Sequence, residues 1–191
     1  MTGVILAGGL NTRYPEKKAF IKISGEPIIH RNLKIFHEIF DQILISANDP
    51  SDYFFARLPL IGDVYNVRGP MTGILSCLLN AKSDRIFVAA CDMPFIEVEL
   101  IRYIISKSDV FDAVVPIFHS KPQPLFSLYH KRLIPTLDKC INDGHLSLKG
   151  MLKTIRCEYI DEEIIRKIDS EGRSFENINT PKDMENVMKK L

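Results

Sequence analysis

Short apolar runs rich in β-branched residues recur along this chain, separated by stretches in which apolar residues return at helical spacing. Gly3–Leu6, Ile43–Ala47 and Ile86–Ala90 are runs of this kind, too short for helices and too uniformly apolar for strands with one wet face. Such strands are buried on both sides and need helices above and below them. The intervening segments supply them. Pro27–Phe40 carries Ile29, Leu33, Phe36 and Phe40 at i, i+4, i+7 and i+11 along one face, and Met71–Lys82 and Glu97–Ser106 also predict helices. Asp112–Pro116 and Leu125–Tyr129 add strands, and Lys131–Asn142 adds a helix. A last helix opens at Thr180, which can cap it, with Pro181 at the first helical position and Met184, Val187, Met188 and Leu191 as its apolar stripe. Alternation of this sort predicts a three-layer α/β fold around a mostly parallel sheet. In such sheets ligands bind beyond the carboxyl ends of the strands, where Leu6-Ala-Gly-Gly9, Asn48 and the Asp92 turn are all expected.

A chain of 191 residues is long enough for one domain with a real core and short for two. Its net charge of +1 gives no global attraction to nucleic acid, so any affinity for an anion must be local. Cys77, Cys91, Cys140 and Cys157 form no CxxC pair and are expected to be reduced, mostly buried thiols. The five histidines, His30, His37, His119, His130 and His145, match no paired metal spacing and are expected to be surface or satisfied residues. The start MTGVILAGGL has no basic residue before its apolar run, and no apolar stretch approaches the roughly 18 residues of a membrane span. A cytoplasmic protein without a membrane partner is the expectation.

The chemistry is concentrated in three loops. The first reads Leu6-Ala-Gly-Gly-Leu-Asn-Thr-Arg-Tyr-Pro-Glu-Lys-Lys18. Adjacent glycines let a backbone approach a ligand closely, successive N–H groups in such a turn form an anion-binding concavity, and Arg13 and Lys18 add charge against phosphate. Neither GxGxxG nor GxxxxGK[ST] is present, and a lone Gly-Gly could equally be a plain tight turn. The second loop, Cys91-Asp-Met-Pro94, ends an apolar strand in a carboxylate. Asp92 is placed either to hold Mg²⁺, which takes one or two protein carboxylates and completes its shell with phosphate and water, or to cap a turn. The third, from Asp63 to Gly73, is a glycine-punctuated loop running into a helix. Tyr53-Phe54-Phe55 reads as core or as an aromatic lid over the cleft.

In this order the motifs resemble the MobA-type molybdenum cofactor guanylyltransferases, a family of nucleotidyltransferases. The family pattern LAGGxSxRMGxxK is matched from Leu6 to Lys18, its GxPL by Gly25-Glu-Pro27, GPLAGI by Gly69-Pro-Met-Thr-Gly-Ile74 and CDxP by Cys91-Asp-Met-Pro94. Pro122 to Tyr129 is similar to PLFALY, Gly144 to Leu148 to GxxSL, and Asn177 to Asp183 to NxNTPxD, so the resemblance covers nearly the whole chain. It departs at Tyr14-Pro15, where the family has Met-Gly, so the path from Arg13 to Lys18 is expected to differ, and at Thr72, where the family has Ala.

The resemblance implies a single three-layer α/β/α domain over residues 1–191, with a Rossmann-like, mostly parallel sheet of the nucleotide-diphospho-sugar transferase type. It implies transfer of GMP from GTP to the terminal phosphate of molybdopterin carrying molybdenum, with pyrophosphate released. Leu6, Ala7, Gly8 and Gly9 would then contact the nucleotide, Arg13 and Lys18 its phosphates, and Asp92 the Mg²⁺. Asn48, Asp63 and Gly69 belong to the implied GTP site, where Asn48 and Asp63 can face either guanine N1–H and N2–H₂ or the ribose. Asn179 is an implied polar partner near the metal or the pterin phosphate, and His119, near Lys121 and Gln123, is a candidate for the pterin side. A molybdoenzyme or its chaperone is the implied recipient. Two alternatives stand beside this: a cytidylyltransferase or sugar-phosphate nucleotidyltransferase, and an accessory protein that binds GTP without chemistry. Lys18 and Asp92 together favour an enzyme.

Overall fold

The computed structural model describes residues 1–8, 18–178 and 180–188. In chain order its elements are β1 (Thr2–Leu6), a hairpin of β2 (Lys22–Ile23) and β3 (Glu26–Pro27), α1 (Ile28–Ile39), β4 (Gln42–Ser46) and β5 (Leu60–Ile61). There follow α2 (Pro70–Asn80), β6 (Arg85–Ala90), α3 (Val98–Ile105), β7 (Ala113–Phe118), β8 (Lys121–Pro122) and β9 (Phe126–His130). The chain ends with α4 (Ile134–Asn142), α5 (Leu148–Leu152), β10 (Cys157–Ile160), α6 (Glu162–Ile168) and α7 (Pro181–Met188).

The sheet runs β10-β7-β9-β6-β1-β4-β5, with β8 paired to β7. Its β1–β4, β1–β6, β4–β5 and β7–β10 pairs are parallel, as the alternating pattern predicts. Strand β9 is antiparallel to both β6 and β7. The cause is local: His119 and Ser120 adopt positive φ values of 49° and 58°, turning the chain straight back after β7, and a tight reversal can only feed an antiparallel neighbour.

Alternate residues along each strand enter different cores. Ile5, Ile43, Ile45, Phe87 and Ala89 pack beneath Ile29, Leu33 and Phe36 of α1 and Leu100, Ile101 and Ile104 of α3. Val4, Leu44, Ile86 and Val88 pack on the opposite face against Ile74, Leu75 and Leu78 of α2 and Leu137 and Ile141 of α4. This is the period-2 geometry of a strand buried on both faces. Val4, Ile5, Ile45, Phe87 and Val88 are completely buried.

The expected elements are present, with shifted ends. Pro27 flanks α1 rather than joining it. The expected Lys131–Asn142 helix splits into a 3₁₀ turn at Lys131–Leu133 and α4, which begins one residue before Pro135, where a missing N–H does no harm. Thr180 and Asp183 cap α7 reciprocally: Asp183 N–H donates to Thr180 Oγ1 at 3.2 Å and Thr180 N–H to Asp183 Oδ2 at 2.8 Å. Met184 packs with Ile21, Ile23, Ile28 and Ile178, while the side chains of Val187 and Met188, and Leu191, lie outside the described residues. No helix among the described residues is long and apolar enough to cross a membrane.

Candidate nucleotide-binding cleft

Strand register brings the predicted residues together. Leu6 at the end of β1 is level with Ser46 of β4 on one side and with Ala90 of β6 on the other. Two residues past those levels come Gly8, Asn48 and Asp92, so three loops distant in sequence leave the sheet side by side. Backbone bonds extend the ladder into the loops: Ala7 N–H donates to Ser46 O at 2.8 Å and Cys91 N–H to Leu6 O at 3.0 Å. Here the chain reverses direction across the sheet, with β4 on one side of β1 and β6 on the other. That is where an open α/β sheet leaves a crevice.

The crevice is a cleft of about 320 Å³. Leu6, Ala7, Gly8, Cys91 and Asp92 line it from the strand ends; Lys18, Ala19 and Tyr53 from the α1 side; Asp63, Arg68, Gly69, Pro70 and Gly73 from the α2 side. Lys18 opens a 3₁₀ turn at Lys18–Phe20, and its Nζ lies 3.3 Å from Asp92 Oδ2. Burial raises the Asp92 carboxyl above its ordinary titration range, and the neighbouring Lys18 charge pulls it part of the way back. Burial also pushes the Cys91 thiol up to about 12, so Cys91 is a neutral part of the wall.

Asn48 and Asp63 form a two-way pair. Asn48 Nδ2 donates to Asp63 Oδ2 at 2.6 Å, and Asp63 N–H donates to Asn48 Oδ1 at 2.8 Å. Asp63 lines the cleft, and Asn48 orients its carboxylate through Oδ2. Val64 N–H donates to the buried Ser76 Oγ at 3.0 Å, which ties the same loop to α2. Helix α2 starts at the cleft with Gly69 as its N-cap and Pro70 as its first residue, and its first-turn N–H groups make a favourable end for an anion. The close approach of α2 to β4 favours glycine at position 73, since a Cβ there would stand 2.8 Å from Ser46 Oγ and 3.2 Å from Leu6 Cδ2 and would make both give way.

Of the predicted site residues, Leu6, Ala7, Gly8, Lys18, Asp63, Gly69 and Asp92 meet in this cleft, and Asn48 is hydrogen-bonded to Asp63. Gly9, Arg13 and Asn179 lie outside the described residues, as does the Tyr14-Pro15 departure. Sequence reasoning missed Arg68, an exposed cation on the cleft wall. Its position immediately before a Gly-Pro helix start is the signal that could have found it. The Tyr53-Phe54-Phe55 alternatives divide between residues: Tyr53 is buried in the cleft wall, whereas Phe54 and Phe55 are 65% and 46% exposed. His119 does not line the cleft; its backbone N–H donates to Glu162 Oε2 at 2.7 Å. All four cysteines are free, but only Cys77 is fully buried.

No group of three metal-ligating side chains gathers among the described residues. The donor set at Asp92 fits magnesium all the same. Magnesium needs one or two hard carboxylate oxygens and otherwise prefers water and phosphate, whereas zinc would call for nitrogen or sulfur ligands.

Residues 3–159 match the family model of the MobA-like NTP transferase domain. The chain is similar to a probable molybdenum cofactor guanylyltransferase of Pelotomaculum thermopropionicum, 33% identical over 96% of this chain and 89% of that protein. It is similar to the molybdenum cofactor guanylyltransferase of Desulfosudis oleivorans, 33% identical over 97% of this chain and 93% of that protein. Its fold superimposes on the crystal structure of molybdopterin-guanine dinucleotide biosynthesis protein A from Archaeoglobus fulgidus with a TM-score of 0.86, at 27% identity, over 99% of this chain and 97% of that one.

Proposed function

Because the chain belongs to the MobA-like NTP transferase family, we propose that it transfers GMP from GTP to the terminal phosphate of molybdopterin carrying molybdenum. The observation that carries this reading is the convergence of Gly8, Lys18, Asp92 and the Asn48-held Asp63 on one cleft at the crossover of the sheet. In the proposed reaction an oxygen of the pterin's terminal phosphate attacks the α-phosphorus of GTP, and the bond to the β-phosphate oxygen breaks. Pyrophosphate leaves with that electron pair. The attacking phosphate is already anionic, so the step asks the protein for in-line positioning and charge neutralisation rather than for a nucleophile of its own.

Asp63 selects the base in this reading. A carboxylate accepts from both N1–H and N2–H₂ of guanine, whereas cytosine and adenine each present an acceptor nitrogen on the same edge. Asn48 keeps the carboxylate oriented. The N–H groups around Gly8, the start of α2, Lys18 and Arg68 hold the triphosphate, with Arg13 as a further phosphate partner. Asp92 would hold Mg²⁺, which when bound supplies Lewis-acid stabilisation of the charge developing on the phosphates.

The test is pyrophosphate release by the purified protein with Mg²⁺, with and without molybdenum-loaded molybdopterin, supplying GTP, CTP, ATP and UTP in turn. Pterin-dependent release with GTP alone is expected. Release with CTP instead would make it a cytidylyltransferase, and nucleotide binding without release would make it an accessory protein. Asp63→Asn is expected to reduce the GTP-over-CTP ratio of kcat/KM about 100-fold, roughly the effect of losing two charge-assisted hydrogen bonds. Arg68→Ala is expected to raise the KM for GTP about 10-fold, the size of one exposed phosphate contact, with little change in melting temperature. An unchanged KM would remove Arg68 from the phosphate site.

A further inference from the structure

The Lys18–Asp92 pair occupies the carboxylate that a metal ion would need. Lys18 Nζ stands 3.3 Å from Asp92 Oδ2, and the two side chains are only 24% and 15% exposed. They come from separate elements, Lys18 from the 3₁₀ turn beside α1 and Asp92 from the loop after β6, so the contact closes across the cleft floor. The other acid lining the cleft, Asp63, is engaged by Asn48 on the α2 side. A carboxylate already paired with an ammonium presents a weakened negative charge to a divalent cation.

We propose that Lys18 closes Asp92 to free divalent metal and yields it only to a nucleotide, so that the metal enters the cleft with its triphosphate rather than ahead of it. This rests on the reading that Asp92 is the metal carboxylate. A metal ion binding alone would sit about 2.1 Å from an Asp92 oxygen and so within a few ångströms of the ammonium, in a part-buried setting where like-charge repulsion is poorly screened. A triphosphate changes both sides of that balance. It brings several negative charges and oxygen ligands for the metal, and it offers Lys18 a new anion within the reach of its flexible stem. Metal and nucleotide therefore bind with positive coupling, and by reciprocity each raises the affinity of the other by the same factor.

The coupling predicts an unusual outcome: removing a positive charge from a phosphate site should improve metal binding by the nucleotide-free protein. Mn²⁺ serves as the probe, with the free ion counted by its electron paramagnetic resonance signal. The ion is titrated into wild-type, Lys18→Met, Lys18→Arg and Asp92→Asn proteins, each checked for folding by circular dichroism, with and without a non-hydrolysable GTP analogue, and the ion held by the analogue alone is subtracted from protein-free titrations. The expected result is weak Mn²⁺ binding by nucleotide-free wild type and by Lys18→Arg, about 10-fold tighter binding by Lys18→Met, and none by Asp92→Asn. With the analogue, wild type should tighten about 100-fold and Lys18→Met by a much smaller factor, within the usual range of site-to-site coupling.

Equal Mn²⁺ affinity of nucleotide-free wild type and Lys18→Met would overturn the proposal. So would an absence of Mn²⁺ binding in every protein even with the analogue, which would also remove Asp92 as the metal carboxylate. The nucleotide-free comparison of wild type with Lys18→Met involves neither guanine nor turnover, so it stands whether or not the guanylyl-transfer reading holds, and the two can fail separately.

Discussion

Asp92→Asn is expected to lower the rate of GMP transfer about 1,000-fold while leaving a folded protein, a loss of the size seen when a preorganised electrostatic contact to a transition state is removed. The carboxylate lines the cleft at the end of β6 and pairs with Lys18. An asparagine has nearly the same shape and keeps a carbonyl oxygen, but it is a poor ligand for a hard dication. Stability should survive the exchange. Burial raises the Asp92 carboxyl above its unfolded value of about 3.9, so its contribution to stability is present below that value and is lost as the pH rises through the folded one. At pH 7 the buried charge gives the fold no net support, and the melting temperature of the variant should stay within about 4 °C of wild type, the shift expected from 1 kcal/mol in a chain of this size. Rate measurements at saturating GTP and pterin check the first part, and a thermal melt the second. A variant retaining a tenth of the activity would exclude Asp92 from the proposed chemistry.

Gly172→Ala should have the largest effect on the fold. Gly172 sits at φ +66°, where an alanine costs roughly 1–2 kcal/mol. Its added Cβ would also stand 2.0 Å from Cζ of Phe118, inside the ring's own volume. That ring cannot retreat easily, because it packs on Phe175 at 5.1 Å between centroids and on His119 at 4.3 Å, with the Arg166 guanidinium 4.8 Å away. Overpacking adds about 1–3 kcal/mol, which brings the total near 4 kcal/mol and the fall in melting temperature near 10 °C. The damage should reach the cleft as well. Gly172 precedes the turn whose Ser174 Oγ accepts from Glu97 N–H at 3.0 Å, and the same segment continues to Ile178, whose N–H donates to Asp92 O at 3.0 Å. A fall of less than 3 °C would show that the turn can move away from Phe118.

Much of the architecture was legible because it follows from local pattern. Buried strands such as Ile43–Ala47 and Ile86–Ala90 announce themselves by unbroken apolar runs, and α1 by its i, i+4, i+7 stripe of Ile29, Leu33 and Phe36. The elements that escaped were those whose local signal is weak. Strand β10 is a half-exposed edge of four residues, and α6 has only Ile164, Ile165 and Ile168 to mark a face. The tight reversal at His119-Ser120 carries neither the glycine nor the asparagine that mark most two-residue hairpin turns, so the antiparallel placement of β9 was hard to read.

The candidate site divides along the same line. The sequence by itself determined which chemistry was available: a glycine turn after the first strand, a lysine beyond it, and a carboxylate closing a later strand. Only the tertiary structure decided their relations. It tied Asn48 to Asp63 by two hydrogen bonds, added Arg68 to the wall, and paired Lys18 with Asp92 across 74 residues of chain. The physical reason is that local patterning specifies which faces must be buried, whereas contacts between loops depend on strand order and register, which are fixed only when the β1–β4 and β1–β6 ladders close.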